Sequence, residues 1–273
     1  MTPTLNDLKA LAYGAGEILR AGFLQPKNLH LKREIDIVTE TDKSSEDYLL
    51  KQITAKFPGH HIVAEESGVN PGDTHHTWYI DPLDGTSNFA HNLPIFSVSI
   101  AYAQNGEVRL GVVYDPIRDE LFAAERGQGA FLNDTRVHTG SQSELRRSMV
   151  VTGFPYDRFD SPVNNLAYFN AFALSVRSIR RLGSAAMDLC YIGAGRMDGY
   201  WELKMENWDL AAGVLIAQEG GARVTTMDNR PELLTPPFSV LAANPALHAE
   251  MLKLIAEVTA KPKNQAYRDF LAG

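Results

Sequence analysis

The most informative stretch of the chain is WYIDPLDGT, residues 78–86, in which an apolar run ends at a turn that carries two carboxylates. Active-site residues often collect where strands end. Asp81 and Asp84 offer two hard oxygen ligands close together, which suits a small divalent cation such as Mg²⁺. Gly85 permits a close backbone approach to a ligand, and Thr86 adds a hydroxyl. Taken alone, the same residues are also typical of an ordinary surface turn.

Further acidic segments accompany this turn. Glu65 and Glu66 end a short apolar run, and adjacent carboxylates repel each other unless a cation or a helix N-terminus offsets the repulsion. Asp42 leads into a predicted helix, where an N-cap is the simplest interpretation. Asp209 opens a helix of small residues that follows the strand-like run ending at Glu202, and capping also explains it. Each segment alone therefore has a structural explanation.

Together, these motifs resemble the inositol monophosphatase family of metal-dependent phosphatases. The family pattern is Glu-Glu-Ser, then Asp-Pro-hydrophobic-Asp-Gly-Thr-(Thr/Ser)-Asn-Phe, then Trp-Asp-hydrophobic-Ala-(Ala/Gly)-Gly. The chain matches these elements in order at residues 65–67, 81–89 and 208–213, with shorter matches at 111–114, 127–131 and 183–186. The resemblance runs from about the first helix to Asn244 and leaves a polar tail after the last helix outside it. It implies a layered α-β-α-β-α sugar-phosphatase fold with the active site between two halves.

The resemblance also implies a site for Mg²⁺, with two or three ions. Glu65 and Asp81 would hold one ion together with the backbone carbonyl of Leu83. Asp81, Asp84 and Asp209 would hold a second, so that Asp81 bridges the two. Mg²⁺ prefers hard oxygen ligands and keeps several of its waters, so a handful of carboxylates suffices. Such ions neutralise a phosphate dianion, activate a water and stabilise the leaving alkoxide.

The resemblance further implies catalytic and substrate-binding residues. Asp42 and Thr86 match the family pair that orients the nucleophilic water, and Glu65 completes the expected catalytic group. Glu202 and Asp84 would accept hydrogen bonds from sugar or cyclitol hydroxyls. The expected substrate contacts are Asp84, Gly85, Thr86, Ala185, Glu202 and Asp209.

Other positions fit the family pattern less closely. Glu206 stands where the animal inositol enzymes carry a histidine, which puts the preference for inositol in question. Lys32 is one residue away from the position of a lysine at the family's active-site flap. The histidines at four positions lack a metal-ligand spacing and are expected on the surface or in loops: His60, His75, His76 and His91.

The order of predicted elements divides one expected domain, residues 1–273, into two tightly packed subdomains. In the first, about 1–145, Thr4 caps a helix, a second helix runs from about Ser44 to Phe57, and Asn105-Gly106 predicts a hairpin in a mostly antiparallel sheet. This half is α+β. From about 146 to 273, strands alternate with helices, so this half is α/β with a sheet covered on both faces. The last helix is predicted over residues 245–258.

The composition favours a soluble enzyme over a nucleic-acid-binding or membrane protein. Of 273 residues, 44% are hydrophobic and 22% are charged, which is ordinary for a globular protein with a sizeable core. The formal net charge of -7 argues against a broad nucleic-acid-binding surface. No run approaches a membrane span or a signal peptide. Cys190, the single cysteine, cannot form an intrachain disulfide and is expected in a helical core, which fits a cytoplasmic protein.

Several functions remain open. The favoured one is hydrolysis of a small phosphate ester, most simply myo-inositol monophosphate, by a protein that the resemblance makes a homodimer. The same chemistry could act on fructose 1,6-bisphosphate, NADP, histidinol phosphate or adenosine 3′,5′-bisphosphate. A non-catalytic role is a third possibility, because some bacterial members of the family bind the transcription machinery. A Ca²⁺-binding or purely structural acidic protein ranks last, since no loop has the alternating carboxylate spacing of a calcium site.

Overall fold

A computed structural model describes residues 1–25, 29–31 and 37–273. Its α-helices are α1 Leu5–Gly22, α2 Glu40–Lys56, α3 Thr86–Ala90, α4 Leu166–Ala173, α5 Ala185–Gly193, α6 Asn207–Glu219, α7 Pro245–Thr259 and α8 Gln265–Ala272. Its strands are β1 Leu29–Leu31, β2 Ile37–Thr39, β3 His60–Ala64, β4 Gly68–Asn70, β5 Asp73–Asp84, β6 Ser97–Gln104, β7 Glu107–Asp115, β8 Glu120–Glu125, β9 Gly129–Leu132, β10 Thr135–Val137, β11 Met149–Thr152, β12 Ser178–Arg180, β13 Gly199–Leu203, β14 Arg223–Thr225 and β15 Ser239–Ala243. Among the described residues, no helix has both the length and the apolar character needed to cross a membrane.

The larger sheet lies between two pairs of helices. In the described part of the chain it has eight strands in the order β10-β9-β8-β7-β6-β5-β3-β4. Neighbouring strands are antiparallel except β3 and β5, which are parallel. α1 and α2 cover one face with residues such as Leu8 and Leu49, which join one core with Trp78 of β5. α5 and α6 cover the other face, where Met187 and Leu215 share a second core with strand residues. The predicted pair of helices on a mostly antiparallel sheet is confirmed.

The smaller sheet is covered in the same way. Its five described strands run in the order β12-β11-β13-β15-β14. Tyr200 and Leu189 belong to the core between this sheet and α5 and α6. Trp201 belongs to the core on the opposite face, which also contains residues of α4, α7 and α8. The helices α5 and α6 are therefore shared between the two sheets. This sharing produces the predicted α-β-α-β-α layering, with α+β and α/β halves packed closely together.

Local sequence signals explain several boundaries. The Thr4 side chain caps α1 in a reciprocal box with Asp7, as predicted. Asn105 (φ 54°) and Gly106 (φ 79°) both adopt the left-handed conformation in the turn between β6 and β7. Two such residues are required by the tight hairpin turn that matches the twist of the strands.

Some predictions about the helices were wrong. Helix α2 begins at Glu40 instead of near Ser44, because Thr39 supplies its N-cap. The tail after residue 260 is not merely polar: it contains helix α8, whose Tyr267 and Leu271 are 4% and 5% exposed. These two apolar residues are four apart, so they face the same side of a helix.

The predicted surface or loop positions of His60 and His76 were also wrong. His60 lies on β3 and is buried, and its Nδ1 accepts a hydrogen bond from Trp78 Nε1 at 3.0 Å. The His76 ring stacks on it with centroids 4.4 Å apart. Their flat rings pack beside the tryptophan, so these residues belong to a packed aromatic group instead of the loops.

Candidate active site

The parallel pairing of β3 and β5 brings two acidic segments together. Ala64 pairs with Ile80 at the ends of these strands, and the backbone N–H of Glu65 donates to the carbonyl of Ile80 at 3.1 Å. Glu65 and Asp81 therefore emerge side by side. Asp81 is 3% exposed. Burial raises the pKa of Asp81 well above its ordinary value, and the nearby Glu65 carboxylate raises it further.

The end of β5 and the turn that follows it are fixed by their own hydrogen bonds. The backbone N–H of Leu83 donates to Asp81 Oδ1 at 3.0 Å. Thr86 Oγ1 lies 3.1 Å from the Leu83 carbonyl and 3.0 Å from Asp42 Oδ1, so its one proton has two acceptors within reach. Gly85 has φ 99°, and a Cβ placed there would lie 2.9 Å from the carbonyl oxygen of Ile95. The turn thus requires glycine for both its backbone conformation and its packing.

Asp42 reaches this turn from α2. It is the third residue of the helix, and its carboxylate accepts a hydrogen bond from the backbone N–H of Thr39 at 3.0 Å. The interpretation of Asp42 as the N-cap was wrong, because Thr39 occupies that position and Asp42 completes the capping box. The other carboxylate oxygen remains directed at Thr86. Burial raises the pKa of Asp42, although hydrogen bonds from Thr39 and Thr86 oppose this shift.

Asp84 joins the two halves of the molecule. It accepts hydrogen bonds from the hydroxyl of Ser184 at 2.6 Å and from the backbone N–H groups of Ala185 at 3.1 Å and Ala186 at 2.8 Å. These donors lie at the start of α5, where the helix dipole favours a negative charge. Burial nevertheless raises the pKa of Asp84. The turn after β5 is therefore attached directly to the helix that separates the sheets.

Asp209 completes the acidic group from the second half. It is the third residue of α6 and accepts a hydrogen bond from the backbone N–H of Glu206 at 2.8 Å, so the predicted role at the helix start is confirmed. Burial, followed by the Asp84 carboxylate, raises the pKa of Asp209 well above its ordinary value. Glu65 contributes a further increase.

These side chains surround one cavity of about 550 Å³, which is lined by Glu65, Asp81, Leu83, Asp84, Gly85, Thr86 and Asp209 among others. The carboxylates and the Leu83 carbonyl offer oxygen atoms as ligands, which fits Mg²⁺ better than a softer metal. Because the acids raise one another's pKa, a bound cation would relieve their repulsion. Among the described residues, no three His, Cys, Asp or Glu side chains already form a closed metal-binding group. Asp84 and Asp209 are instead hydrogen-bonded to protein N–H groups.

A smaller recess of about 110 Å³ adjoins this cavity. Glu202 and Ala185 line it. The Tyr200 hydroxyl donates to Glu202 Oε2 at 2.7 Å. Burial raises the pKa of Glu202 to about 7, although the Tyr200 hydrogen bond opposes this shift. A Cβ on Gly153 would lie 2.0 Å from Glu202 Oε1, so only glycine leaves room for this carboxylate.

Among the described contacts, no salt bridge joins Glu202 to Lys204, although the two residues are close in sequence. The Lys204 ammonium instead contacts Asp157 Oδ2 at 2.5 Å. Glu206 lines the larger cavity, so the departure from the family pattern lies at the site. Lys32 falls outside the described residues. Cys190 is fully buried, and its thiol pKa is raised well above the usual value by burial, as expected of a core residue.

Sequence reasoning missed a supporting residue, Glu46. It lies on α2, is 3% exposed, and accepts hydrogen bonds from the backbone N–H groups of Glu66 at 2.8 Å and Ser67 at 2.7 Å. This carboxylate fixes the turn that carries Glu65. One signal was available: Glu46 precedes the buried Leu49 by three residues and therefore lies on the buried face of its helix.

The comparisons with known proteins agree with this geometry. The sequence model of the inositol monophosphatase family matches residues 1–260. The chain is 42% identical to the Nus factor SuhB of Pasteurella multocida, over 93% of this chain and 96% of that protein. It is 39% identical to the inositol-1-monophosphatase of Mesorhizobium japonicum, over 92% and 95%. The solved inositol monophosphatase of an Anabaena (Nostoc) species superimposes with a TM-score of 0.84 at 39% identity, over 93% of this chain and 95% of that one. The chain therefore belongs to the inositol monophosphatase family.

Proposed function

We propose that this protein is a Mg²⁺-dependent phosphatase of small phosphate monoesters, with myo-inositol monophosphate as the favoured substrate. One observation carries the proposal: acidic side chains from both halves of the molecule face a single cavity and raise one another's pKa. Such an arrangement costs stability unless a cation is bound, and retained carboxylates of this kind are typical of metal sites.

The ligand assignments follow the positions of these groups. Glu65, Asp81 and the Leu83 carbonyl would hold one Mg²⁺, and Asp81, Asp84 and Asp209 would hold another. When bound, the ions would neutralise the phosphoryl oxygens, activate a water and stabilise the leaving oxygen. Asp84 and Asp209 would have to exchange some of their present hydrogen bonds for a metal ion. The two or three ions expected from the family remain part of the proposal.

The chain's own groups would orient the nucleophile. Asp42 can accept a hydrogen bond from the Thr86 hydroxyl, because the two oxygens lie 3.0 Å apart. The lone pairs of Thr86 Oγ1 then remain available to accept a hydrogen bond from the attacking water. This arrangement would hold the water in a defined orientation beside Glu65, which lines the same cavity.

The alcohol portion of the ester would occupy the smaller recess, which we therefore name the leaving-group recess. Glu202 presents a carboxylate there, Ala185 presents a helix start, and Asp84 lies at the boundary with the larger cavity. Carboxylates accept hydrogen bonds from hydroxyl groups, so a polyol fits better than an alkyl alcohol. Other small phosphates remain alternatives for the same chemistry.

The test is a panel of phosphate esters, which includes inositol 1-phosphate, fructose 1,6-bisphosphate, NADP and p-nitrophenyl phosphate. Each ester is assayed with Mg²⁺ and again with excess EDTA. We expect hydrolysis that requires Mg²⁺ and a preference for the inositol ester. Comparable rates in EDTA would contradict the metal mechanism. If another ester is hydrolysed faster than the inositol ester, that ester becomes the proposed substrate.

A second role is supported by the Pasteurella relative, which is named a Nus factor. We propose that this chain also contacts the transcription machinery, as a homodimer, independently of catalysis. Co-migration with purified RNA polymerase on size exclusion would test the contact, and light scattering of the protein alone would test the dimer. Asp81→Asn should bind as the wild type does if the two roles are separate.

A further inference from the structure

The leaving-group recess contains a carboxylate to which the proposed function gives no role. Asp188 lies on α5, one turn after its start, and is 2% exposed. It lines the recess together with Glu202 and Ala185. Its Oδ1 atom is buried and has no hydrogen-bond partner among the described residues. A buried carboxyl oxygen without a partner destabilises the folded protein, because the water it loses is not replaced.

The neighbouring acids differ from Asp188 in this respect. Both oxygens of Asp84 accept hydrogen bonds at the start of α5, and Glu202 accepts one from Tyr200. Arg181 also lines the recess, but no described hydrogen bond or ion pair joins it to Asp188. Asp188 is therefore the acid of this recess with a buried oxygen that no described residue hydrogen-bonds.

The size of the recess limits what could supply the missing donor. At about 110 Å³, the recess is much smaller than the adjoining cavity of about 550 Å³, which favours a compact group. Hydroxyl groups would supply hydrogen-bond donors to the carboxylates that line it.

We infer that Asp188 is a substrate-binding residue, which accepts a hydrogen bond from a hydroxyl of the leaving alcohol at a position other than the one that Glu202 contacts. This inference rests on the proposed phosphatase function and narrows its substrate class. The preferred esters would be those of compact alcohols with at least two free hydroxyl groups, in addition to the esterified oxygen.

The experiment compares Asp188→Asn with the wild type, using inositol 1-phosphate and p-nitrophenyl phosphate with Mg²⁺. Asparagine keeps the size of the side chain but removes the negative charge. We expect kcat/KM for the inositol ester to fall about tenfold, mainly through KM, and the value for the aryl ester to stay within about twofold. The melting temperature should remain unchanged or rise, because an unpartnered buried carboxyl has been removed.

The matched control is Asp115→Asn. Asp115 is also fully buried, but it accepts hydrogen bonds from the backbone of Ile117 and Arg118 at 2.9 and 3.0 Å. This variant should lower the melting temperature and leave the ratio of the two esters unchanged. The same pattern in Asp188→Asn would show that Asp188 is structural and would overturn the inference. If the wild type hydrolyses both esters and Asp188→Asn has the same ratio of kcat/KM values, the inference is overturned and the proposed phosphatase function stands. A wild type that hydrolyses neither ester would overturn both proposals.

Discussion

The two halves of the molecule contribute in different ways to the acidic cavity and the recess that adjoins it. The larger sheet supplies Asp81, Leu83 and Thr86 from one continuous turn, which its own hydrogen bonds hold in place. The other half supplies Ala185 from α5 and Glu202 from β13, which are separate segments. In the proposed function, the groups for the phosphoryl reaction would come mainly from the first half, where three of them share one turn, whereas the groups for the alcohol would be brought together by tertiary packing. Asp209 is the exception, since it comes from the second half and faces the acidic cavity.

The largest expected effect is that of Asp81→Asn, which tests the continuous turn. An amide offers one neutral oxygen where the proposed site needs a charged bridging ligand, so kcat/KM should fall about a hundredfold or more. Inositol and aryl esters should lose activity alike. The fold should persist, because the amide oxygen can still accept from the Leu83 N–H. Initial rates and a thermal melt measure these outcomes, and near-wild-type turnover at moderate Mg²⁺ would remove Asp81 from the metal site.

Glu46→Gln should have the next largest effect. It replaces one of the oxygens that hold the backbone N–H groups of Glu66 and Ser67, so Glu65 loses its fixed position. Residues that position metal ligands typically change affinity by about 10–100-fold. The Mg²⁺ concentration for half-maximal activity should rise within that range for every ester. The exposed neighbour Asp47 provides the control, Asp47→Asn, which should behave as the wild type does. An unchanged Mg²⁺ requirement in Glu46→Gln would limit Glu46 to a role in folding.

Glu202→Gln should separate the proposed binding of the alcohol from the proposed reaction at the phosphoryl group. If its carboxylate binds the alcohol, as proposed, kcat/KM for inositol 1-phosphate should fall about tenfold while that for p-nitrophenyl phosphate changes little. A metal-site variant should not alter this ratio. If Glu202→Gln leaves the ratio intact and only lowers the melting temperature, the residue belongs to the fold and not to the alcohol site.

The smallest expected effect on activity is that of His248→Gln, which should alter stability alone. His248 is fully buried, its Nε2 lies 2.9 Å from Thr225 Oγ1, and its Nδ1 has no partner among the described residues. Burial lowers its pKa to about 4. The unfolded chain therefore binds more protons than the folded one between about pH 6.5 and pH 4, and stability falls as the pH falls through that range.

The consequence of this titration can be measured with urea unfolding at pH 7.5 and pH 5. Between these values the wild type should lose about 2 kcal/mol more than His248→Gln does. His91→Gln, at an exposed position, should follow the wild type. Equal losses in the wild type and His248→Gln would exclude His248 as a source of acid sensitivity.

Contiguous motifs made much of the fold and site predictable. Residues 81–86 are adjacent in sequence, so their chemistry could be interpreted before their surroundings were known. The covering of the smaller sheet on both faces also followed from the alternation of strands and helices in the second half. The α-β-α-β-α layering was implied by the family resemblance. The capping role of Asp209 was visible from its place before a helix of small residues.

Contacts between distant segments were not predictable in the same way. Ser184 meets Asp84 across 100 residues, and Glu46 meets Ser67 across 21. No local pattern specifies such pairs, since tertiary packing decides them. The edge strands β12 and β14 were missed because each has three residues, too few for an alternating pattern.

Helix α8 has a consequence for how this protein can diverge from its relatives. Phe270 of this helix lines the acidic cavity together with Pro236, Pro237 and Phe238. The helix lies beyond residues 1–260, the part matched by the family. This wall of the cavity is therefore built partly from the matched range and partly from a helix beyond it. A substitution at Phe270 can reshape the wall while the acidic motif of residues 81–86 keeps its sequence.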